Sequence, residues 1–298
     1  MNCPACGNDV SLVEVRSINN YKMFRCGACD VEFADPMKNP GADWYEKSEL
    51  YSVGKIIDSG VGWNHRQFLE LEKKYGLTLL DIGCGTGAFL HEARKLGYQP
   101  CGIDFDTVAL KVAGDRFVLP ELFQVNVSEL SKLFPERRFD VISFFEVLEH
   151  VENPAVFLSQ VSQLLAPSGL IAVSVPNRNR KIDFMKDDDY PPNHLTRWTA
   201  ESLSSFFRSQ GYEILTVVQK RVDLREIVAY LHATIRLGLA KRLVVEGASS
   251  GKGNQVSRGA RLLKIKNALF YLIASVAFPV LYISRLQGST IFCLARKK

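Results

Sequence analysis

Histidine is scarce in this chain, five in 298 residues, and acidic side chains are scarce at one end of it: residues 221–298 hold 3 Asp/Glu against 14 Lys/Arg. The first shortage confines imidazole chemistry to His65, His91, His150, His194 and His232. The second leaves a tail of net charge +11 behind a body of −6, which points the tail toward something anionic, a membrane surface or nucleic acid. Clustered basic residues are missing from the first forty positions, where Arg16, Lys22, Arg25 and Lys38 alternate with Asp9, Glu14, Asp30, Glu32 and Asp35. That scatter argues against a phosphate-binding face. "MNCPACGNDV" lacks a basic segment running into an apolar one, so no secretory leader is expected and the chain is expected in the cytoplasm, or peripherally on the inner membrane face. What remains is 47% hydrophobic, enough for one sizeable core and a small accessory module.

Four of the seven cysteines form two matched pairs, Cys3-x2-Cys6 and Cys26-x2-Cys29, nineteen residues apart. A C-x2-C turn sets two sulfurs on one side of a tight knuckle, and two knuckles joined by a hairpin offer four thiolates in a tetrahedron. This is zinc-ribbon spacing, and with all four positions filled the expected zinc is structural. "LVEV" and "YKMFRC" between the pairs read as the strands of the ribbon. Its sparse positive charge favours docking or substrate-side packing over nucleic-acid binding. Cys101 and Cys293 read as buried thiols.

From about residue 78, apolar strands alternate with helical stretches: "LTLLDIG", "AFLHEARKLG", "QPCGIDFD", "TVALKVAG", "LFQVNV", "RFDVISFFEV", "PAVFLSQVSQLLAPSG" and "LIAVSVPN". The alternation predicts an α/β fold, a Rossmann-like doubly wound sheet with ligands at the carboxyl ends of its strands. "LLDIGCGTGAFL" turns strand into helix through three glycines, and Asp104 closes the next strand, where a carboxylate can accept both hydroxyls of a ribose. Glycine spacing alone fits dinucleotide enzymes and S-adenosylmethionine enzymes equally.

The segment "FFEVLEHVENP" resembles the corresponding stretch of class I S-adenosylmethionine-dependent methyltransferases of the ubiquinone-biosynthesis O-methyltransferase type. "EILTVVQ" and "STIFCLARKK" resemble that fold's terminal antiparallel strands. The resemblance spans about residues 60–220 plus the final strand and implies S-adenosyl-L-methionine as cofactor. It implies that Asp81, Gly83, Cys84, Gly85 and Gly87 surround the methionine end, that Asp104 holds the ribose with Phe105 beside the adenine, and that Asn126 and Val127 flank the adenine. Asn126 stands where many relatives have Asp. Phe145 and Glu146 are implied beside the methionine portion. Glu149 and His150 are balanced between capping and a functional role.

"DDDYPPNHLTRWTAESLSSFF" places His194 in a Pro-constrained loop after the fifth strand, on the side where an acceptor enters. Together with the cysteine module it resembles bacterial methyltransferases of sugar and polysaccharide biosynthesis, some of which use a loop histidine as base. His194 is the candidate catalytic residue, with loop-ordering as the alternative. Asp187, Asp188 and Asp189 read as a solvated charge run. His65 reads as a lid or packing residue.

Residues 221–287 interrupt the last hairpin. "LREIVAYLHATIRLGLAKRLVV" reads as a basic amphipathic helix, and eighteen uncharged residues run from Asn267 to Ser284, at the lower edge for a bilayer span. If the last strand rejoins the sheet, a single crossing is impossible, which leaves monotopic membrane contact, or a helical lid or dimer interface. The expected organisation is a ribbon over 1–40, a methyltransferase domain over 41–220 plus 288–298, and the insertion 221–287. The leading functional reading is methylation of a small-molecule, sugar or lipid-linked glycan acceptor. RNA methylation and a non-catalytic cofactor-fold binding protein are the alternatives.

Overall fold

Seven strands of the computed structural model form one sheet in the order β10-β11-β8-β7-β4-β5-β6. They are β4 (Thr78–Ile82), β5 (Gln99–Asp104), β6 (Leu122–Gln124), β7 (Phe139–Phe145), β8 (Leu165–Pro176), β10 (Tyr212–Arg221) and β11 (Gln287–Lys297). The structure describes residues 1–41, 44, 60–71, 76–125, 129–245, 269–276, 278–279 and 284–298. Strands β4 to β8 pair in parallel, and β11 lies antiparallel to β8 with Cys293 opposite Val173. This is the doubly wound sheet with an antiparallel terminal strand anticipated from the strand and helix alternation.

Burial on both faces explains why β4 and β7 read as near-continuous apolar runs. Leu79, Leu80 and Ile82 of β4 and Val141, Ile142 and Phe144 of β7 are all buried. Between the strands run α2 (Ala88–Lys95), α3 (Thr107–Phe117), the one-turn α4 (Leu130–Leu133) and α5 (Pro154–Leu164), while α1 (Trp63–Leu69) precedes β4 and α6 (Ala200–Ser209) precedes β10. Their ends are specified locally. Asp106 caps α3 by accepting from Val108 N at 2.8 Å, Asn153 caps α5 ahead of Pro154, and Thr199 and Ser202 cap α6 reciprocally.

The cysteine segment builds a second sheet, β1 (Leu12–Ile18), β2 (Tyr21–Cys26), β3 (Glu32–Asp35) and the two-residue β9 (Thr196–Arg197), in that order. Thus a strand of the loop after His194 completes the ribbon's sheet. Cys3, Ala5, Cys26, Val31 and Phe33 belong to the same buried cluster as Trp198, Leu203, Phe206 and Phe144. So small a sheet cannot enclose a core of its own, and it shares its neighbour's. The chain divides into two compact units: one holds Met1–Arg178, Asp188–Gln219 and Thr290–Lys298, the other Asn179–Asp187 and Lys220–Ser289.

In that second unit α7 (Leu224–Val245) turns Ile227 and Val228 inward against Val222, Phe270 and Ala274. Buried Glu226 accepts from Lys220 Nζ at 2.9 Å and from Ser289 N at 3.0 Å. Among the described residues no helix is long and apolar enough to cross a membrane.

Candidate active site

The glycine loop lies between β4 and α2. Gly83 and Gly87 both have φ of +76°, the left-handed region that a side chain resists. A Cβ on Gly83 would come 2.7 Å from Val147 Cγ2, and one on Gly87 would come 2.6 Å from Leu119 Cδ1, so glycine is required twice over. Gly87 also caps α2, whose first N–H groups face the loop side. Cys84 is buried with its thiol pushed well up by that burial, which makes it a packing residue of the loop rather than a reactive one.

One carboxylate braces this loop, and a second lies just before it in the chain. Asp104, at the end of β5, accepts from Gly85 N at 2.8 Å through Oδ2 and from Asp106 N at 2.9 Å through Oδ1. Burial raises its pKa, and the backbone donors oppose that rise. Phe105, next in the chain, is exposed. Asp81 is buried and accepts from Ser143 Oγ at 2.7 Å. Burial pushes it up to about 8, with Asp104 adding repulsion and Ser143 pulling back. A neutral carboxyl held there at pH 7 is poised to ionise when a cation arrives. Asn126 and Val127 lie outside the described residues.

At the carboxyl end of β7, Phe145 turns its ring into an aromatic cluster, with His65 at 4.9 Å and Phe89 at 5.0 Å. His65 is thereby a packing residue, and burial lowers its pKa to about 4. Glu146 sits in the left-handed region with φ of 56°. Its N–H donates to Ser174 O at 2.9 Å, and its Oε1 accepts from Ser174 Oγ at 2.8 Å. Asn64 Nδ2 in turn donates to Ser174 Oγ at 2.9 Å. A strained backbone fixed by this chain of bonds aims Glu146 at one place.

The 3-10 turn Leu148–His150 meets the loop of His194. Glu149, His150 and His194 each offer a ligand atom, and these atoms lie within 4.8 Å of one another. Glu149 is 1% exposed and neither carboxylate oxygen has a hydrogen-bond partner, so burial, then the charge of Glu146, raises its pKa well above the usual range. His150 Nδ1 lies 2.6 Å from Asn193 O, and His194 Nδ1 lies 3.0 Å from Asp189 Oδ1. Each acceptor takes the Nδ1 proton, leaving Nε2 as the lone-pair nitrogen of both rings. Two such nitrogens beside a buried carboxylate can hold a divalent cation or receive a proton.

Asp189 corrects the reading of the aspartate run. Asp187 and Asp188 are exposed, but Asp189 is 1% exposed and bonded to both His194 and Arg197. Charge count could not separate the three, because the decisive partners are five and eight residues further on. Asn64, Ser143 and Ser174 also escaped the sequence reading, since nothing local marks them; they become visible only when α1, β7 and β8 meet.

The four ribbon sulfurs converge. Cys3 Sγ and Cys29 Sγ are 3.6 Å apart, and Cys6 Sγ and Cys26 Sγ are 3.7 Å apart. All four cysteines are free thiols. Tetrahedral zinc at a Zn–S length of about 2.3 Å needs sulfurs about 3.8 Å apart, so the donor set fits that ion.

Residues 64–217 match a family described as a methyltransferase domain. Among curated relatives, the ubiquinone biosynthesis O-methyltransferase of Bradyrhizobium diazoefficiens is 35% identical over 132 residues, 43% of this chain and 51% of that protein. One from Rhodopseudomonas palustris is 35% identical over 178 residues, 59% and 67% respectively. The chain spans about half the length of most of the first such relatives. The same fold occurs in a SAM-dependent methyltransferase from Archaeoglobus fulgidus, with a TM-score of 0.50 and 17% identity over 78% of this chain and 90% of that one. It occurs also in phosphoethanolamine N-methyltransferase 2 of Haemonchus contortus in complex with S-adenosyl-L-methionine, with a TM-score of 0.54 and 19% identity over 86% and 59%. With a glycine loop flanked by two buried carboxylates at the strand ends of a sheet in this order, and a family match over half its length, the chain belongs to the class I S-adenosylmethionine-dependent methyltransferases.

Proposed function

We propose that the protein transfers the methyl group of S-adenosylmethionine to a nucleophile on a small acceptor, a sugar or lipid-linked glycan intermediate, with His194 receiving the departing proton. Methyl transfer is a displacement at a sulfonium carbon, so the cofactor brings the activated group and the protein aligns the nucleophile and takes its proton. The observation that carries this reading is the orientation of His194: its Nδ1 faces Asp189, which turns Nε2 toward Glu149 in the 3-10 turn after β7. Asp81, Gly83, Cys84, Gly85, Gly87, Asp104, Phe105, Phe145 and Glu146 would form the cofactor side. Cys3, Cys6, Cys26 and Cys29 would hold a structural zinc that secures the ribbon.

Labelled cofactor offered to extracted lipids, nucleotide sugars, phenolic small molecules and RNA tests the acceptor class. His194→Ala should cut turnover by roughly 10²–10⁴-fold with cofactor affinity intact. Near-normal turnover in that variant would reduce His194 to a loop-ordering residue, and transfer confined to RNA would overturn the small-acceptor reading.

The grouping of Glu149, His150 and His194 favours a second reading, in which these three hold a divalent cation that orients the acceptor. Turnover indifferent to chelators and to added Mg²⁺ or Zn²⁺ would refute it. Peripheral membrane contact through 221–287 is proposed on charge and on exposed apolar side chains in one helical stretch, Leu269, Tyr271, Leu272, Ile273 and Val276.

A further inference from the structure

We propose that Glu32, on the cysteine ribbon, is a positioning residue for His194, so that the ribbon sets the tautomer of the acceptor-side imidazole. Strand β3 pairs with β9 in a register that puts Glu32 opposite Arg197 and Phe33 opposite Thr196, and Ala34 N donates to Leu195 O at 2.8 Å. Across this seam Arg197 Nη1 donates to Glu32 Oε2 at 2.6 Å, while Arg197 Nε donates to Asp189 Oδ2 at 2.9 Å. The other oxygen of Asp189 takes His194 Nδ1 at 3.0 Å. Glu32, Asp189, Arg197 and His194 are all buried, 3%, 1%, 9% and 4% exposed.

The chemistry of this relay follows from its donor count. A carboxylate can only accept, so Asp189 selects the His194 tautomer with its proton on Nδ1. Asp189 keeps its orientation only while Arg197 holds the opposite oxygen, and the rigid guanidinium fork is shared between two carboxylates. The guanidinium is also stacked 4.2 Å over the Tyr190 ring, which restricts the plane in which its donors point. Glu32 is fixed from its own side by Arg25 Nη2 at 2.6 Å. With Glu32 neutral, Arg197 has one full charge left to satisfy, closes on Asp189 with both nitrogens, and competes for the oxygen that orders the ring. Whether His194 works as base or as metal ligand, Nε2 must be its lone-pair nitrogen, so the relay serves either role.

A ribbon bound merely as structural glue makes a different forecast. It would lose stability without Glu32, yet leave the imidazole unchanged. Glu32→Gln in the full-length chain, isosteric but uncharged, separates the two. In ¹⁵N-histidine NMR the wild-type His194 ring should show Nδ1 protonated and Nε2 unprotonated. The variant should show the two nitrogens partly averaged, with kcat lowered on the order of tenfold, KM for the cofactor unchanged, and recovery in Glu32→Asp. Arg197→Lys, which keeps the charge but cannot bridge two carboxylates, should move the same resonances and serves if Glu32→Gln fails to fold. Wild-type ring signals in both variants would overturn the proposal whatever happens to stability. The kinetic arm rests on the proposed role of His194, whereas the NMR arm does not: shifted ring signals with unaltered turnover would uphold the relay and fail the role.

Discussion

Replacing Asp104 with Asn keeps the side chain's size and removes one of its two accepting lobes. In the structure those lobes are committed to different donors, Oδ2 to Gly85 N at 2.8 Å and Oδ1 to Asp106 N at 2.9 Å. An amide has one oxygen, so whichever way it is turned one backbone N–H loses its partner and faces another donor. A buried donor left unsatisfied costs about 1–3 kcal/mol. Each kcal/mol should lower Tm by about 2–4 °C in a chain of this size. Cofactor affinity adds a second, separable effect. If the carboxylate also accepts the ribose hydroxyls, losing its charge removes about 1.5–3 kcal/mol, which is roughly 10–100-fold in Kd. Calorimetric titration with S-adenosylmethionine, beside a thermal scan of the unliganded protein, reads both. A drop in Tm with Kd changed less than about twofold would show a carboxylate that only clamps the loop, and the ribose assignment would fall.

Cys26→Ser should release one zinc per chain and, because β3 shares a seam with β9, disturb the His194 loop while the parallel strands β4 to β8 stay folded. Metal analysis showing no zinc in protein purified without chelator would contradict this. Asp81, pushed up to about 8, is neutral in the unliganded protein at pH 7, and a cationic cofactor beside it should drive off its proton. Affinity should therefore climb as pH rises toward about 8 and level off above it, and binding heats at pH 7 should differ between phosphate and Tris; identical heats would refute the linkage. Stability has the opposite pH dependence. A folded pKa above the unfolded value of about 3.9 means that Asp81's contribution is full below that value and lost as pH rises through about 8, so Asp81→Asn should raise Tm more at pH 8 than at pH 5. For the tail, sedimentation with anionic liposomes that persists after deletion of 222–286 would remove the basis for membrane contact through the insertion.

The glycine loop, the strand and helix alternation and the four converging sulfurs were legible because each is written in local spacing. G-x-G-x-G needs only a strand before it and a helix after it, and C-x2-C needs only its own turn. The bracing of Glu146 was not legible. It runs through Asn64 and Ser174, 110 residues apart, and neither stands in a motif. Asp189 was misread for a related reason: in a run of three like charges, composition signals solvation, and only Arg197 and His194 turning back onto it reveal burial. His194 stood out because a Pro-constrained loop held a scarce residue, yet what orients it comes from Glu32, 165 residues away from Arg197.

That distance bears on how the acceptor side is built. Functional loops are precise only when a rigid element holds them, and for most of the described strand ends here the parallel sheet does so. The loop of His194 is held from two sides: Leu195 N donates to Glu149 O at 2.8 Å and Trp198 bridges Asn177 just past β8, while its two-residue strand, Thr196–Arg197, pairs with the ribbon. The ribbon gains from the same contact, since β9 covers the edge of β3 that would otherwise be an unpaired row of backbone groups. Each part thus completes the other, the ribbon's sheet with a fourth strand and the loop with a scaffold stiffened by four converging sulfurs. It follows that substitutions in the ribbon should reach His194 through β9 and Arg197, without passing through the glycine loop. Release of a zinc held by the four sulfurs should therefore depress turnover before it weakens cofactor binding.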